Sequence, residues 1–267
     1  VVKVIAITNQ KGGVGKTTTS INLAASLSVA EATGVKLRIL LIDLDPQANT
    51  TGGSGVNKSE ISFSANEVLL GEAPIKDSTL RTEWGYDLLP ANSNLTVAEV
   101  RMLSFEKRER VLQSVVSNVQ DDYDFILIDC PPSLNMLTIN ALVVANSVLI
   151  PIQCEYYALE GLTSLLNNID HIRKKINIKL QIEGLLRTMY DGRNRLTTEV
   201  SDQLKEHFGD KVYETVIPRN VRLAEAPSYG MPIISYDRSS QGAIAYLKLA
   251  DEFLKRQGMN FEMEVSL

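Results

Sequence analysis

Two lysines and two threonine hydroxyls surround a knot of glycines in Asn9-Gln10-Lys11-Gly12-Gly13-Val14-Gly15-Lys16-Thr17-Thr18. Glycine lets a backbone curl with its N–H groups turned inward, and such a curl at the start of a helix holds an anion. Gly12, Gly13, Val14, Gly15, Lys16, Thr17 and Thr18 are therefore the expected phosphate cradle. Lys16 is placed to reach the β and γ phosphates of a nucleotide, and the Thr17 hydroxyl to sit on Mg²⁺. The spacing departs from the common G-x-x-x-x-G-K-[ST]: Gln10 stands where the first glycine belongs, and Lys11 adds a charge at the entrance. Carboxylates follow in Asp43-Leu44-Asp45-Pro46-Gln47 and in Ile128-Asp129-Cys130-Pro131-Pro132. Acids at the carboxyl end of a parallel strand face the crevice where ligands bind.

The elements around these groups are strand-like before each of them. Residues 2–8 are apolar and β-branched, and residues 20–27 read as a helix, so the glycine loop lies between strand and helix. Residues 37–43 and 124–129 are continuous aliphatic runs that end in Asp43 and Asp129, as expected of parallel strands covered on both faces. Residues 48–62 are small and polar without periodicity, which suits a loop that moves with the state of the site. A short helix is expected over 65–70 and a strand near 86–90. A helix over about 104–119 would turn Val111, Leu112, Val115, Val116 and Val119 to the core. Residues 147–152 form a further buried strand, a helix runs to Lys175, and 178–186 is a strand. Asp191-Gly192 and lost periodicity make 187–195 a loop, and 241–255 is the last helix.

The sum is a single α/β domain with a mostly parallel twisted sheet of about seven or eight strands and helices on both faces. The domain is expected over 1–257, followed by a short acidic tail, 258–267. With 44% hydrophobic residues among 267 the chain has ample core material, and no apolar run approaches the ~18 residues of a membrane span. No signal peptide is visible, and Cys130 and Cys154 form no C-x-x-C pair, so a reducing cytoplasm fits. The net charge of −5 argues against a wholly basic nucleic-acid binder. Residues 171–222, however, carry 11 Lys/Arg against 7 Asp/Glu, which leaves room for a local basic face.

The glycine loop with its extra lysine resembles the deviant Walker A motif of the ParA/MinD group of P-loop ATPases. Asp43-Leu44-Asp45-Pro46-Gln47, the Walker B-like stretch ending in Asp129, Pro151-Ile152-Gln153-Cys154-Glu155 and Pro218-Arg219-Asn220-Val221-Arg222 are similar to the ParA/Soj branch, from Val4 to about Arg256. The resemblance implies a P-loop NTPase that takes ATP and Mg²⁺ and works as an ATP-bound homodimer. Lys11 would cross to the nucleotide of the other subunit, Asp45 would help place the attacking water, and Asp43 would lie near the metal. Asp129 would hold Mg²⁺ through water. Pro218, Arg219 and Asn220 would border the adenine, and Arg193, Arg222 and Arg238 would touch DNA backbone. A nucleoid-associated partitioning role with a ParB-type activator and no membrane follows from the same likeness.

No helix-turn-helix, zinc-finger spacing or aromatic stacking platform is apparent, so DNA binding is expected to rest on phosphate contacts. With about two or three phosphates neutralised per monomer, log K falls against log salt with a slope of about −2 to −3. Three alternatives share the scaffold. A MinD-like division-site ATPase wants a basic amphipathic tail, which 258–267 does not supply. A small-carboxylate synthetase needs a second polar cluster. An iron–sulfur reductase needs bridging cysteines, whereas Cys130 is placed inside the Walker B-like stretch.

Overall fold

The computed structural model describes residues 2–32 and 35–259; the tail stretch 260–267 lies outside the described residues. The strands are β1 Lys3–Ile7, β2 Glu31–Ala32, β3 Val35–Lys36, β4 Ile39–Asp43, β5 Leu80–Arg81, β6 Asp87–Leu89, β7 Phe125–Asp129, β8 Ser147–Gln153, β9 Gln181–Tyr190 and β10 Val212–Pro218. Eight of them form one sheet in the order β10-β9-β8-β1-β7-β4-β6-β5, while β2 and β3 make a separate hairpin. Every pairing in the large sheet is parallel except β5 with β6. The helices are α1 Lys16–Ser28, α2 Asn49–Gly53, α3 Ala65–Leu69, α4 Ile75–Ser78, α5 Leu95–Met102, α6 Val111–Ser117, α7 Met136–Val144, α8 Ala158–Lys175, α9 Arg195–Phe208, α10 Val221–Glu225, α11 Ile233–Tyr236 and α12 Gln241–Arg256.

The aliphatic runs are buried on both faces, and strand alternation sorts them into two layers. Val4, Ala6, Leu40, Ile42, Ile126 and Ile128 join Leu95, Leu137 and Leu165 from α5, α7 and α8. Ile5, Ile7, Ile39, Leu41, Phe125 and Leu127 face the other way, onto Leu23, Ile233 and Phe253 from α1, α11 and α12. Register then aligns the chemistry: Ile7 and Asp43 are both the Cα partners of Asp129, so three adjacent strands stop at one level.

Three expectations change. The helix expected from 104 begins at α6, because Lys107 takes a left-handed φ of 55° and a 3₁₀ turn over Arg108–Arg110 precedes it. Within 48–62, α2 and a 3₁₀ turn over Lys58–Glu60 replace the structureless loop. The third change lies at 187–190, which continues β9 rather than starting a loop. Arg187 is 3% exposed, with Nη1 donating to Ser201 Oγ at 2.8 Å and Nη2 to the carbonyls of Tyr213 at 2.7 Å and Glu214 at 3.1 Å. It therefore ties β9 to β10 and α9. Arg187→Ala leaves these carbonyls unmatched and a cavity behind, and is expected to cost about 3 kcal/mol. For a domain of this size that lowers the melting temperature by about 6–12 °C, and an unchanged melt contradicts the strut.

One close approach joins the segment after β4 to the segment after β10. A carbon added at Gly230 would lie 2.7 Å from Gly55 Cα, and one added at Gly55 would lie 2.9 Å from the Gly230 carbonyl oxygen. Both glycines have positive φ, 83° and 65°, so neither position suits another residue.

Candidate active site

The loop between β1 and α1 ends at Gly15, whose φ of 86° serves as the N-cap of α1. Among the described residues no side chain caps that helix, and its first turn holds no acid. Its first N–H groups are thus available to an anion. The Thr188 hydroxyl, from β9, donates to the Val14 carbonyl at 2.7 Å, and the Asn9 side chain donates to the Pro151 carbonyl at 2.8 Å while accepting from the Lys11 N–H at 3.0 Å. The loop is therefore pinned at three points by neighbouring strands and its own entrance. Gly12 and Gly13 stand clear: a carbon added at either would meet no atom within 4 Å among the described residues.

The two lysines face different surroundings. Lys16 is buried, its ammonium donating to the Lys11 carbonyl at 3.1 Å. Burial pulls its pKa below the ordinary lysine value, opposed chiefly by the charge of Asp129 and, less, by that of Asp45. Lys11 is 49% exposed and forms an ion pair with Glu155 just past β8.

Asp129 accepts hydrogen bonds from Thr17 Oγ1 at 2.9 Å, Ser20 Oγ at 2.9 Å and Thr50 Oγ1 at 2.6 Å. Asp43 accepts from the Asp45 N–H at 3.1 Å and from the N–H and hydroxyl of Thr51 at 2.9 and 2.7 Å. Both acids are fully buried, and burial together with the Asp129 charge pushes the Asp43 pKa up to about 7. Burial raises the Asp129 pKa as well, against the three hydroxyls that favour its ionised form. A divalent cation at this level would offset both penalties. Among the described residues no group of three or more His, Cys, Asp or Glu forms a metal cage. The donor set here, one carboxylate beside a threonine hydroxyl, suits Mg²⁺, which takes few protein ligands and completes its shell with phosphates and water. Asp45 is nearly buried at the same end, its carboxylate accepting from the Gln47 N–H at 2.9 Å.

A cavity of about 190 Å³ opens next to the loop, lined by Gly15, Thr18, Met189, Pro218, Arg219 and Asn220 among others. The structure thus brings Lys16, Thr17, Asp43, Asp45 and Asp129 to one level, with Pro218, Arg219 and Asn220 beside them. The three DNA-face candidates lie in the segments that follow β9 and β10. Arg193 follows β9 and is paired through Nε and Nη2 with Asp191 at 2.9 and 2.8 Å. Arg222 lies on α10, and Arg238 follows α11 on the surface.

A family model described as an AAA domain matches residues 2–182. The sporulation initiation inhibitor protein Soj of Bacillus subtilis is 50% identical over 251 residues, 94% of this chain and 97% of that protein. The chromosome partitioning protein ParA of Caulobacter vibrioides is 46% identical over 258 residues, 96% of this chain and 95% of that protein. The chain belongs to the ParA/Soj family of chromosome-partitioning ATPases. In three dimensions, cobyrinic acid a,c-diamide synthase of Mycobacterium smegmatis with bound ATP analog and magnesium matches with a TM-score of 0.83 at 36% identity, covering 97% of this chain and 96% of that one.

Four side chains of this ParA/Soj-family site were not singled out by sequence. Ser20 lies three residues past Thr17 on the same helical face, a spacing that could have revealed it. Thr50 and Thr51 reach the acids only because α2 folds back over the strand ends, which no local pattern announces. Glu155 belongs to a family-like stretch, but its pairing with Lys11 spans 144 positions. Cys130 and Cys154 are buried, with thiol pKa values pushed up chiefly by burial, consistent with inert core side chains.

Proposed function

We propose that the chain is an ATP-operated dimerisation switch that holds DNA without sequence preference and moves a chromosome or plasmid. The observation that carries the assignment is the split between the lysines of one loop. Lys16 is buried, its ammonium on the Lys11 carbonyl, whereas Lys11 lies half-exposed on Glu155, at a surface a second copy can reach. Gly12, Gly13, Val14, Gly15, Lys16, Thr17 and Thr18 cradle the triphosphate of ATP, and Thr17 and Asp129 hold Mg²⁺ with Asp43 close by. The bound Mg²⁺ supplies neutralisation of phosphate charge. Asp45 orients the attacking water, and Pro218, Arg219 and Asn220 border the adenine. Lys11 enters the site of the opposite subunit, and Arg193, Arg222 and Arg238 of both subunits form one DNA face. A ParB-type protein accelerates hydrolysis, and the dimer is nucleoid-associated in the cytoplasm. No helix among the described residues is long and apolar enough to cross a membrane.

Asp45→Ala tests this cycle. With ATP·Mg²⁺ the variant is expected to elute from gel filtration as a stable dimer that retains mixed-sequence DNA, and with ADP as a monomer that does not. The dimer's log K is expected to fall with log salt at a slope of about −4 to −6. A monomer under saturating ATP removes the switch. DNA retention that ignores nucleotide removes the coupling. The likeness to a cobyrinic acid a,c-diamide synthase keeps an amide-forming synthetase as a second reading. ATP turnover that requires a small carboxylic acid and ignores DNA would favour it.

A further inference from the structure

We propose that Glu225 and Asp237 form an acidic clamp on Arg222, so that the chain carries its own competitor for DNA phosphate. The inference rests on the DNA face proposed above. Arg222 Nη1 donates to Glu225 Oε2 at 3.0 Å, and its Nε lies 3.6 Å from Asp237 Oδ2. The two acids reach the guanidinium from separate helices, α10 and the end of α11.

Both acids are aimed by other donors. The Tyr236 hydroxyl donates to Glu225 Oε2 at 3.1 Å, and Tyr236 is itself stacked on exposed Tyr229, with centroids 5.1 Å apart. The Ser239 N–H and hydroxyl donate to Asp237 Oδ1 at 3.2 and 2.8 Å, which leaves Oδ2 turned to Arg222. The Asp191–Arg193 pair differs, since both members belong to one tight turn.

Carboxylates present to a guanidinium much the same pair of oxygens as a phosphodiester. An arginine engaged by two of them has little unmet charge left for an approaching phosphate. The Arg222 and Glu225 side chains are 55% and 40% exposed, so water screens the pair and DNA can displace it. The clamp thus weakens DNA binding without blocking it. It raises the number of arginines that must act together, which favours the dimer over the monomer.

The test uses the full chain with ATP·Mg²⁺ and a mixed-sequence DNA duplex at fixed salt. Glu225→Gln keeps an acceptor for Tyr236 but removes the charge, and is expected to tighten binding about fivefold. Asp237→Asn keeps an acceptor for Ser239 and shifts binding in the same direction; it decides the matter should Glu225→Gln fold poorly. The gain must vanish when Arg222→Gln is combined with either change, because the acids act through that guanidinium. Unchanged affinity in both neutral variants, with Arg222→Gln weakening binding, overturns the clamp and leaves the DNA face standing. An equal gain with and without Arg222 also overturns it, as a general charge effect. If Arg222→Gln itself leaves binding unaltered, the DNA face at this position falls, and the clamp with it.

Discussion

Lys16→Ala is expected to abolish nucleotide binding, raising Kd by about 10² to 10⁴. The estimate follows from the loss of two charge-assisted hydrogen bonds to phosphate, each worth about 1.5–3 kcal/mol. The ammonium is buried and its pKa is lowered by that burial, so the fold bears a desolvation penalty for keeping it there. Phosphate supplies the counter-charge that relieves this penalty. Among the described residues its side chain has one hydrogen bond in the structure, to the Lys11 carbonyl, so its removal breaks a single polar contact within the chain. Titration calorimetry with ATP·Mg²⁺ measures the loss, and a thermal melt near that of the parent separates it from misfolding. Tight ATP binding by a well-folded Lys16→Ala protein would falsify the phosphate-loop assignment.

The second large effect is on turnover. Lys11→Ala is expected to lower ATP hydrolysis by about 10³, in the range of an arginine finger, while ATP binding weakens less than about tenfold. The Lys11–Glu155 pair is half-exposed on both sides, so its loss has little consequence for stability. A mixing experiment distinguishes donation between subunits from action within one. Lys11→Ala retains Asp45, and Asp45→Ala retains Lys11, so a mixed dimer has one complete site. Two inactive proteins combined in equal amounts should then recover about a quarter of normal turnover, since half the dimers are mixed. A mixture as inactive as its components places Lys11 in its own subunit's chemistry.

The groups nearest the phosphate loop were legible because backbone geometry dictates residue type there. Gly15 must adopt a positive φ, and the aliphatic runs before Asp43 and Asp129 can only be strands buried on both faces. Other parts were hidden for identifiable reasons. Helix α5 buries Leu95, Ala98 and Met102 but also carries exposed Val97 and Val100, so two apolar stripes blur its period. Asp191-Gly192 made the end of a buried strand read as a loop, and Arg187 gave no sign otherwise, since guanidinium groups seldom enter a core without hydrogen bonds that only the tertiary fold supplies. One aromatic contact was likewise out of local sight. Tyr229 and Tyr236 are seven positions apart, and their stacking depends on the course of the chain through Gly230 and Pro232.

The contact between Gly55 and Gly230 behaves as a hard stop. Where side chains meet, a small displacement can be absorbed by rotamer changes; two bare backbones at this separation have nothing to reorient. Thr50 and Thr51, which grip the acids, lie a few residues before Gly55, and Arg222 lies eight residues before Gly230. An inward shift of one strip therefore bears on backbone rather than on a side chain that could turn aside, as one gear tooth drives the next.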